Sequence, residues 1–201
     1  MKLDPNIGYT IRGNRYLNVT NRCTLRCDFC PKFNGDWVVK GNDLRMKREP
    51  DADELVAAAG DPAAFREVVF CGMGEPTLRL PQLLAAAERI KARGGRVRVN
   101  TDGLANLVHG RDVTPDLRGR VDALSISLNA QNEALYEKHC RPKLPGAYEA
   151  MLDFTRRARE HVPEIWLSAI DGLESVDIEA CRKIAEELGV RFKRRMLDEV
   201  G

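Results

Sequence analysis

Tyr16-Leu-Asn-Val-Thr20 runs, after two residues, into Cys23-Thr-Leu-Arg-Cys27-Asp-Phe-Cys30: a short alternating segment followed by cysteines spaced C-x3-C-x2-C. Strict alternation over so few residues marks a strand, and the cysteines then occupy the loop at its carboxyl end. Three thiolates on one tight loop can ligate three irons of a four-iron cluster and leave the fourth open to a small molecule. That spacing points to chemistry beyond simple electron relay. Structural zinc normally takes a fourth Cys or His nearby, whereas His109, His139 and His161 are distant in sequence. Cys71, Cys140 and Cys181 are isolated and read as small buried apolar side chains. A disulfide framework is disfavoured, because Met1-Lys-Leu-Asp-Pro-Asn6 has no apolar signal segment and 201 residues can bury a core without staples. Iron–sulfur cluster, zinc and unligated thiols all remain open on the residues alone, and the spacing favours the cluster.

Outward from this stretch, strand-like segments alternate with helical periods. Strands are expected at Tyr16–Thr20, Val68–Cys71, Arg96–Thr101, Ala123–Asn129, Ile165–Ile170 and Arg191–Leu197. Helices are expected over Asp51–Ala59, over the stripe Leu80, Leu83, Leu84, Ala87 and Ile90 that Gly94-Gly95 ends, over Tyr148–His161, and over Ile178 to Leu188 with Gly189 as cap. Met1 to Asn14 reads as a lead-in strand or hairpin. Six such repeats predict an α/β fold with a parallel sheet and outer helices, in one domain spanning 1–201. Leu124, Ile126 and Leu128 share one strand face and Ala123, Ser125, Ser127 and Asn129 the other. Leu17 and Val19 oppose Asn18 and Thr20, and Val97 and Val99 oppose Arg98 and Asn100. A packed barrel fills its interior with branched apolar side chains. These polar faces instead predict a water- or ligand-filled interior, with a half-exposed sheet as the other reading.

With 43% hydrophobic and 31% charged residues, the composition is that of an ordinary soluble protein. No apolar run approaches membrane-spanning length, so a cytoplasmic location is expected. A net charge of +2 is too small for nucleic-acid binding by bulk electrostatics.

Cys71-Gly-Met-Gly-Glu-Pro76 follows the second strand, at the sheet end where ligands of parallel α/β folds bind. Together with the cysteine triad and its Phe29, with Asn100-Thr-Asp-Gly103 after the third strand and with Ser125-Ile-Ser-Leu-Asn129 in the fourth, it resembles the radical S-adenosylmethionine (SAM) superfamily. More narrowly, Leu17-Asn-Val-Thr-Asn-Arg-Cys23, Gly103-Leu-Ala-Asn-Leu107 and Ser127-Leu-Asn-Ala-Gln-Asn132 are similar to the small radical SAM proteins named for their association with TatD-type nucleases.

The resemblance implies a partial (β/α)6 TIM-like barrel, a [4Fe-4S] cluster on Cys23, Cys27 and Cys30, and SAM chelating the open iron. One-electron reduction would yield methionine and a 5′-deoxyadenosyl radical that abstracts hydrogen from the substrate. It further implies that the backbone of Gly72, Met73, Gly74 and Glu75 holds the SAM amino group and that Phe29 lies near the adenine. Ser127 and Asn129 would contact ribose or carboxylate, Asn100 and Asp102 would serve the ribose edge or shape a turn, and the Ile170 loop would line the adenine. A flavodoxin- or ferredoxin-type electron donor and a functional link to a TatD-type nuclease are implied as well. Met73 stands where a second glycine is usual, a form that some branches of the superfamily share.

The substrate is expected to be small or nucleotide-like and anionic, bound by inward members of the set Lys32, Lys40, Arg45, Lys47, Arg48, Arg141, Lys143, Lys193, Arg194 and Arg195. A solvated charged surface is the competing reading. The loops at Lys32–Arg48 and Gln131–Pro145 are expected to close the barrel mouth. A 7-carboxy-7-deazaguanine synthase-like enzyme is a further reading, against which Lys32 stands where a magnesium-binding Thr is usual. A glycyl-radical activase and a non-catalytic SAM- and cluster-binding sensor are the others. Cys140, near the expected mouth, is a candidate hydrogen donor, with a packing role as the plainer assignment.

Overall fold

The computed structural model describes residues 6–197. In chain order the elements are β1 (Gly8–Ile11), β2 (Asn14–Asn18), β3 (Val38–Val39), β4 (Asn42–Asp43), α1 (Ala52–Ala59), β5 (Val68–Cys71), α2 (Leu80–Ala92), β6 (Val97–Thr101), α3 (Ala105–His109), β7 (Ala123–Ser127), α4 (Glu133–Cys140), α5 (Ala147–Ala158), β8 (Glu164–Asp171), α6 (Ile178–Glu187) and β9 (Arg191–Met196). The main sheet runs β1-β2-β5-β6-β7-β8-β9. β1 pairs antiparallel with β2, and every later neighbour is parallel. This is the expected α/β architecture, with the lead-in segment supplying an antiparallel edge strand; the expectation for its first five residues lies outside the described part. Among the described residues no helix is long and apolar enough to cross a membrane.

Local chemistry sets the helix starts. Asp51 accepts from the Glu54 amide and the Glu54 carboxylate returns to the Asp51 amide, a capping box that opens α1. Asp177 caps α6 through the amides of Glu179 and Ala180.

The strand faces divide as the alternation predicts. On the outer face Leu17, Val68, Phe70, Val97, Val99, Leu124, Ile126 and Leu167 are buried in one cluster with Leu83, Ala87 and Ile90 of α2, Met151 and Phe154 of α5 and Ala185 of α6. The inner face has two halves. At β1, β2 and β5 it is largely apolar and covered: Tyr9, Val69, Cys71 and Met73 pack with Val39 and Leu44 in and beside the β3–β4 hairpin, and Tyr16 and Trp37 lie against them. Asn18 and Thr20, expected to face a water- or ligand-filled interior, are instead buried, donating to the Leu44 carbonyl and to Glu49. From β6 to β9 the pairing register places Arg98, Asn100, Ser125, Ser127, Trp166, Ser168, Lys193 and Arg195 inward, and most of them are partly open to solvent.

Four features were not foreseen, the first being the five-residue helix α3 between β6 and β7. The expected loop 32–48 carries the β3–β4 hairpin, whose strands are two residues each and too short for an alternation signal. The expected loop 131–145 contains α4, whose apolar content is low and whose start depends on the Asn132 side chain accepting from the Leu135 amide at 3.0 Å. The fourth strand stops at Ser127 rather than Asn129, because Asn129 takes a left-handed φ of 59° that ends extended pairing.

Phe70, wholly buried on the outer face, and Val38, about half exposed on the hairpin, report on different layers. Urea denaturation of Phe70→Ala is expected to show a loss of about 3–5 kcal/mol, and Val38→Ser a change within about 0.5 kcal/mol. Equal losses would contradict the assignment of the two faces.

Candidate functional site

The ends of β2, β5 and β6 are joined backbone to backbone. After β5 the chain passes over the exit of β2 so closely that side chains are excluded. A Cβ on Gly72, whose φ is 124°, would lie 2.0 Å from Asn18 Oδ1. One on Gly74 would lie 2.2 Å from the Thr20 carbonyl oxygen and 2.4 Å from that of Arg22. The Glu75 amide then donates to the Arg22 carbonyl at 2.8 Å. In this structure both glycines serve chain-on-chain contact at the root of the cysteine loop.

Glu75 and Asp102 form a buried polar hub. Glu75 Oε1 accepts from the Thr77 amide at 3.0 Å and from the Thr77 and Thr101 hydroxyls at 2.7 and 2.8 Å, while Oε2 accepts from the Asp102 amide at 2.7 Å. Asp102 in turn accepts from the Leu104 amide at 3.0 Å and from the Thr24 hydroxyl, between Cys23 and Cys27. Burial, and then the charge of Asp102, push the Glu75 carboxyl up to about 8, and burial also raises Asp102. Two carboxylates this close and this buried do not both ionise readily, so near neutral pH the pair retains a proton.

The cysteine loop is clamped from its other side by the end of α4. The Arg26 amide donates to the Cys140 carbonyl at 3.0 Å, the Asp28 amide to the His139 carbonyl at 2.9 Å and the Lys143 amide to the Thr24 carbonyl at 2.9 Å. Lys143 Nζ adds a bond to the Cys23 carbonyl at 2.9 Å, and His139 Nδ1 lies 3.0 Å from Asp28 Oδ2. Glu49 anchors the loop's entry by accepting from Thr20 and Arg22 at 2.6 Å each and by pairing with Arg79. Partial burial opposes ionisation of Glu49, but the bonds from Arg22, Thr20 and Arg79 hold it down at about 2.

Cys23, Cys27 and Cys30 are free thiols, each half-buried. The Cys140 thiol beside Cys27, together with burial and the charges of Cys23 and Cys30, raises Cys27 strongly. Burial, then Asp102 and Glu75, push Cys23 up to about 12. Crowded thiols among acids favour the neutral form until a cation replaces their protons. Among the described residues no three His, Cys, Asp or Glu side chains form a single-ion site. A polynuclear cluster presents its irons at separate points, so a loop carrying three spaced thiols fits that group by the chemistry of its donors.

Around this loop the structure gathers most of the residues expected from sequence. Asn129 is buried, accepts from Arg195 Nη2 at 2.7 Å through Oδ1, and contacts Cys140 Sγ at 3.4 Å through Nδ2. Ser127 faces inward two residues earlier. Asn100, also inward, accepts from Arg98 at 2.6 Å. Ile170 pairs with Arg195 across β8 and β9. Phe29 packs at the core's edge. Met73 is buried under the β3–β4 hairpin, and its carbonyl accepts from Lys32 Nζ at 2.8 Å. Of the expected cation set, Arg48 pairs with Glu54, Arg194 with Asp171, and Arg45 lies over Trp37. Lys193 and Arg195 are the members on the inner face of β9. The sequence reading missed Thr24, Thr101 and His139, whose roles depend on partners from distant parts of the chain.

Comparison with known proteins agrees with this geometry. A family model described as the Radical SAM superfamily matches residues 17–188. A tungsten-containing aldehyde ferredoxin oxidoreductase cofactor-modifying protein of Pyrococcus furiosus is 32% identical over 44% of this chain and 23% of its own length. A dual-specificity RNA methyltransferase RlmN of Dichelobacter nodosus is 27% identical over 77% of this chain and 45% of its own length. The chain thus spans less than half the length of these curated relatives. Streptococcus suis SuiB bound to S-adenosylmethionine shares the fold at a TM-score of 0.64 and 16% identity, over 92% of this chain and 42% of that one. TYW1 with a lysine-pyruvate adduct bound does so at 0.62 and 16%, over 94% and 67%.

Gly74→Ala is expected to cost about 3 kcal/mol or more in urea denaturation, because its Cβ meets backbone oxygens that have nowhere to move; a loss under about 1 kcal/mol would contradict the close approach. The Glu75 carboxyl is raised from 4.5 to about 8, so the folded chain holds a proton that the unfolded chain releases between those values. Stability is therefore expected to fall as pH rises from about 5 to about 8, and Glu75→Gln to flatten that slope. Matching slopes in the two proteins would rule out the shared proton.

Proposed function

The chain belongs to the radical SAM superfamily of enzymes, which use a [4Fe-4S] cluster and S-adenosylmethionine, and from that premise we propose that Cys23, Cys27 and Cys30 hold the cluster and that the substrate is a small or nucleotide-like anion. Bound there, the two groups supply reductive cleavage of a sulfonium C–S bond and, through it, abstraction of a substrate hydrogen atom. The protein's part is to present three thiolates at fixed spacing, and the observation that carries the reading is the clamping of that loop from both sides, by Asp102 on Thr24 and by the backbone of His139 and Cys140.

The other residues have roles that follow from their placement. The carbonyl of Met73 engages an ammonium in this structure, that of Lys32, which supports the Gly72–Glu75 backbone as the seat of an amino group. Glu75 acts from behind, with both oxygens committed to holding the loops together. Asn100, Ser127 and Asn129 offer inward polar groups for ribose or carboxylate, with Phe29 and Ile170 as apolar neighbours for a purine. Asp102 shapes the turn after β6 and orders the cysteine loop. Cys140, fully buried against Cys27 and Asn129, takes a packing role. The β3–β4 hairpin closes the apolar half of the interior and leaves the polar half to the substrate.

Within the superfamily, the stretches Leu17–Cys23, Gly103–Leu107 and Ser127–Asn132 support kinship with the TatD-associated proteins and a functional link to a TatD-type nuclease. A flavodoxin- or ferredoxin-type protein is the proposed source of the electron. The names of the RlmN relatives, as RNA methyltransferases, lend the nucleotide-like reading some weight.

The test is anaerobic reconstitution with iron and sulfide, followed by SAM and a strong reductant. Wild type is expected to yield methionine and 5′-deoxyadenosine. The Cys23→Ala/Cys27→Ala/Cys30→Ala protein is expected to yield neither and to lack the cluster's visible absorption. Cleavage that persists in the triple variant, or a wild type that takes up no iron, would overturn the assignment.

A further inference from the structure

Three cations, Arg98 of β6 and Lys193 and Arg195 of β9, stand on the polar half of the inner face. Lys193 on β9 lies within the electrostatic reach of Arg98 on β6, Arg195 on β9 and Arg12 in the β1–β2 turn. The acid that offsets them is Glu67, whose oxygens already bind Arg96 at 3.3 Å and Arg98 at 2.8 Å. Like charges brought together within a fold oppose its stability unless something of opposite sign is present.

The other two arginines of the strand each have a carboxylate. Arg191 pairs with Glu164 at 2.8 Å and stacks over Trp166, and Arg194 pairs with Asp171. Among the described residues Lys193 and Arg195 have none. The only hydrogen bond of Arg195 among them is donated by Nη2 to Asn129, and its Nε is buried without a partner. Across the sheet, Lys193 stands beside Ser168 and Ser168 beside Ser127. The hydroxyls of Ser125 and Ser127 on that face make no hydrogen bond among the described residues. The result is a set of donors, two of them cationic, whose one acceptor is Asn129 Oδ1, the residue that also contacts Cys140 Sγ.

We propose that Lys193 and Arg195, with the Ser127 hydroxyl two strands across on the same face, form an oxyanion site that takes a phosphoryl or carboxylate group of the substrate. This rests on the reading of the substrate as an anion and assigns that anion a place. A planar guanidinium and a mobile ammonium separated by one residue on a strand suit a tetrahedral or planar oxyanion lying between them. Anchored there, a substrate would extend along the inner face toward the cysteine loop.

Calorimetric titration of the cluster-loaded full chain with inorganic phosphate, and separately with malonate, at constant ionic strength tests the site. Saturable binding of at least one probe is expected, weakened about ten-fold or more by Lys193→Gln and by Arg195→Gln and unchanged by Arg191→Gln. Preference for phosphate would mark a phosphoryl group and preference for malonate a carboxylate. Lys193→Gln alone, freed of like-charge repulsion, is expected to melt no lower than wild type in anion-free buffer and to lose the rise in melting temperature that the bound anion gives wild type. No saturable binding of either probe, or binding that survives both substitutions, would overturn the proposal. Because the titration reads binding whether or not SAM is cleaved, a failed anion site leaves the cluster assignment standing. A chain that binds phosphate but loads no cluster would leave the oxyanion site standing and sink the cluster assignment instead.

Discussion

The site depends on one buried contact, the pair Glu75 and Asp102. Glu75 receives four hydrogen bonds from the start of the turn after β5 and from the end of β6, and Asp102 carries the connection to Thr24 inside the cysteine loop. A loop of three thiols needs such support, since crowded sulfurs among acids repel once ionised and no regular element crosses the stretch between Cys23 and Cys30. Buried polar groups that are fully satisfied define one arrangement strongly, because any displacement leaves a donor or acceptor stranded away from water. Gly72 and Gly74 belong to the same constraint: only a chain without side chains at those points can lie across β2 closely enough for the Glu75 amide to reach the Arg22 carbonyl.

The division of the inner face has the same logic on a larger scale. A sheet with helices on one side only must cover its other side or find a use for it. Here the β3–β4 hairpin covers Tyr9, Val69, Cys71 and Met73 with apolar side chains, and the strands from β6 onward present arginine, lysine, serine and asparagine. The apolar half stabilises the fold, and the polar half, adjoining the cysteine loop, is free for chemistry.

Much of this was legible in the sequence because it rests on local pattern. Apolar and alternating runs located β5, β6, β8 and β9 to within a residue or so, the helix expected over 51–59 is α1, and the cysteine spacing by itself marked the loop. What escaped depends on partners far apart in the chain. Thr24 meets Asp102 across 78 positions and His139 meets Asp28 across 111, and neither residue type carries a local signal of such a role. The hairpin and α4 escaped because each is too short or too polar for its period to show. The glycines of Gly72-Met-Gly74 were visible as permissive backbone, but their work here is to admit a neighbouring chain. Among the candidate cations, charge alone could not separate Lys193 and Arg195 from those that the fold pairs with acids; strand parity together with the positions of Glu164 and Asp171 does.

The central claim is that Cys23, Cys27 and Cys30 present a cluster with one iron open to S-adenosylmethionine. Electron paramagnetic resonance of the reduced, reconstituted protein addresses it directly. On this account the reduced cluster gives a spectrum whose g values shift when S-adenosylmethionine is added, because the cofactor coordinates the open iron. A spectrum that S-adenosylmethionine leaves unchanged would contradict the account.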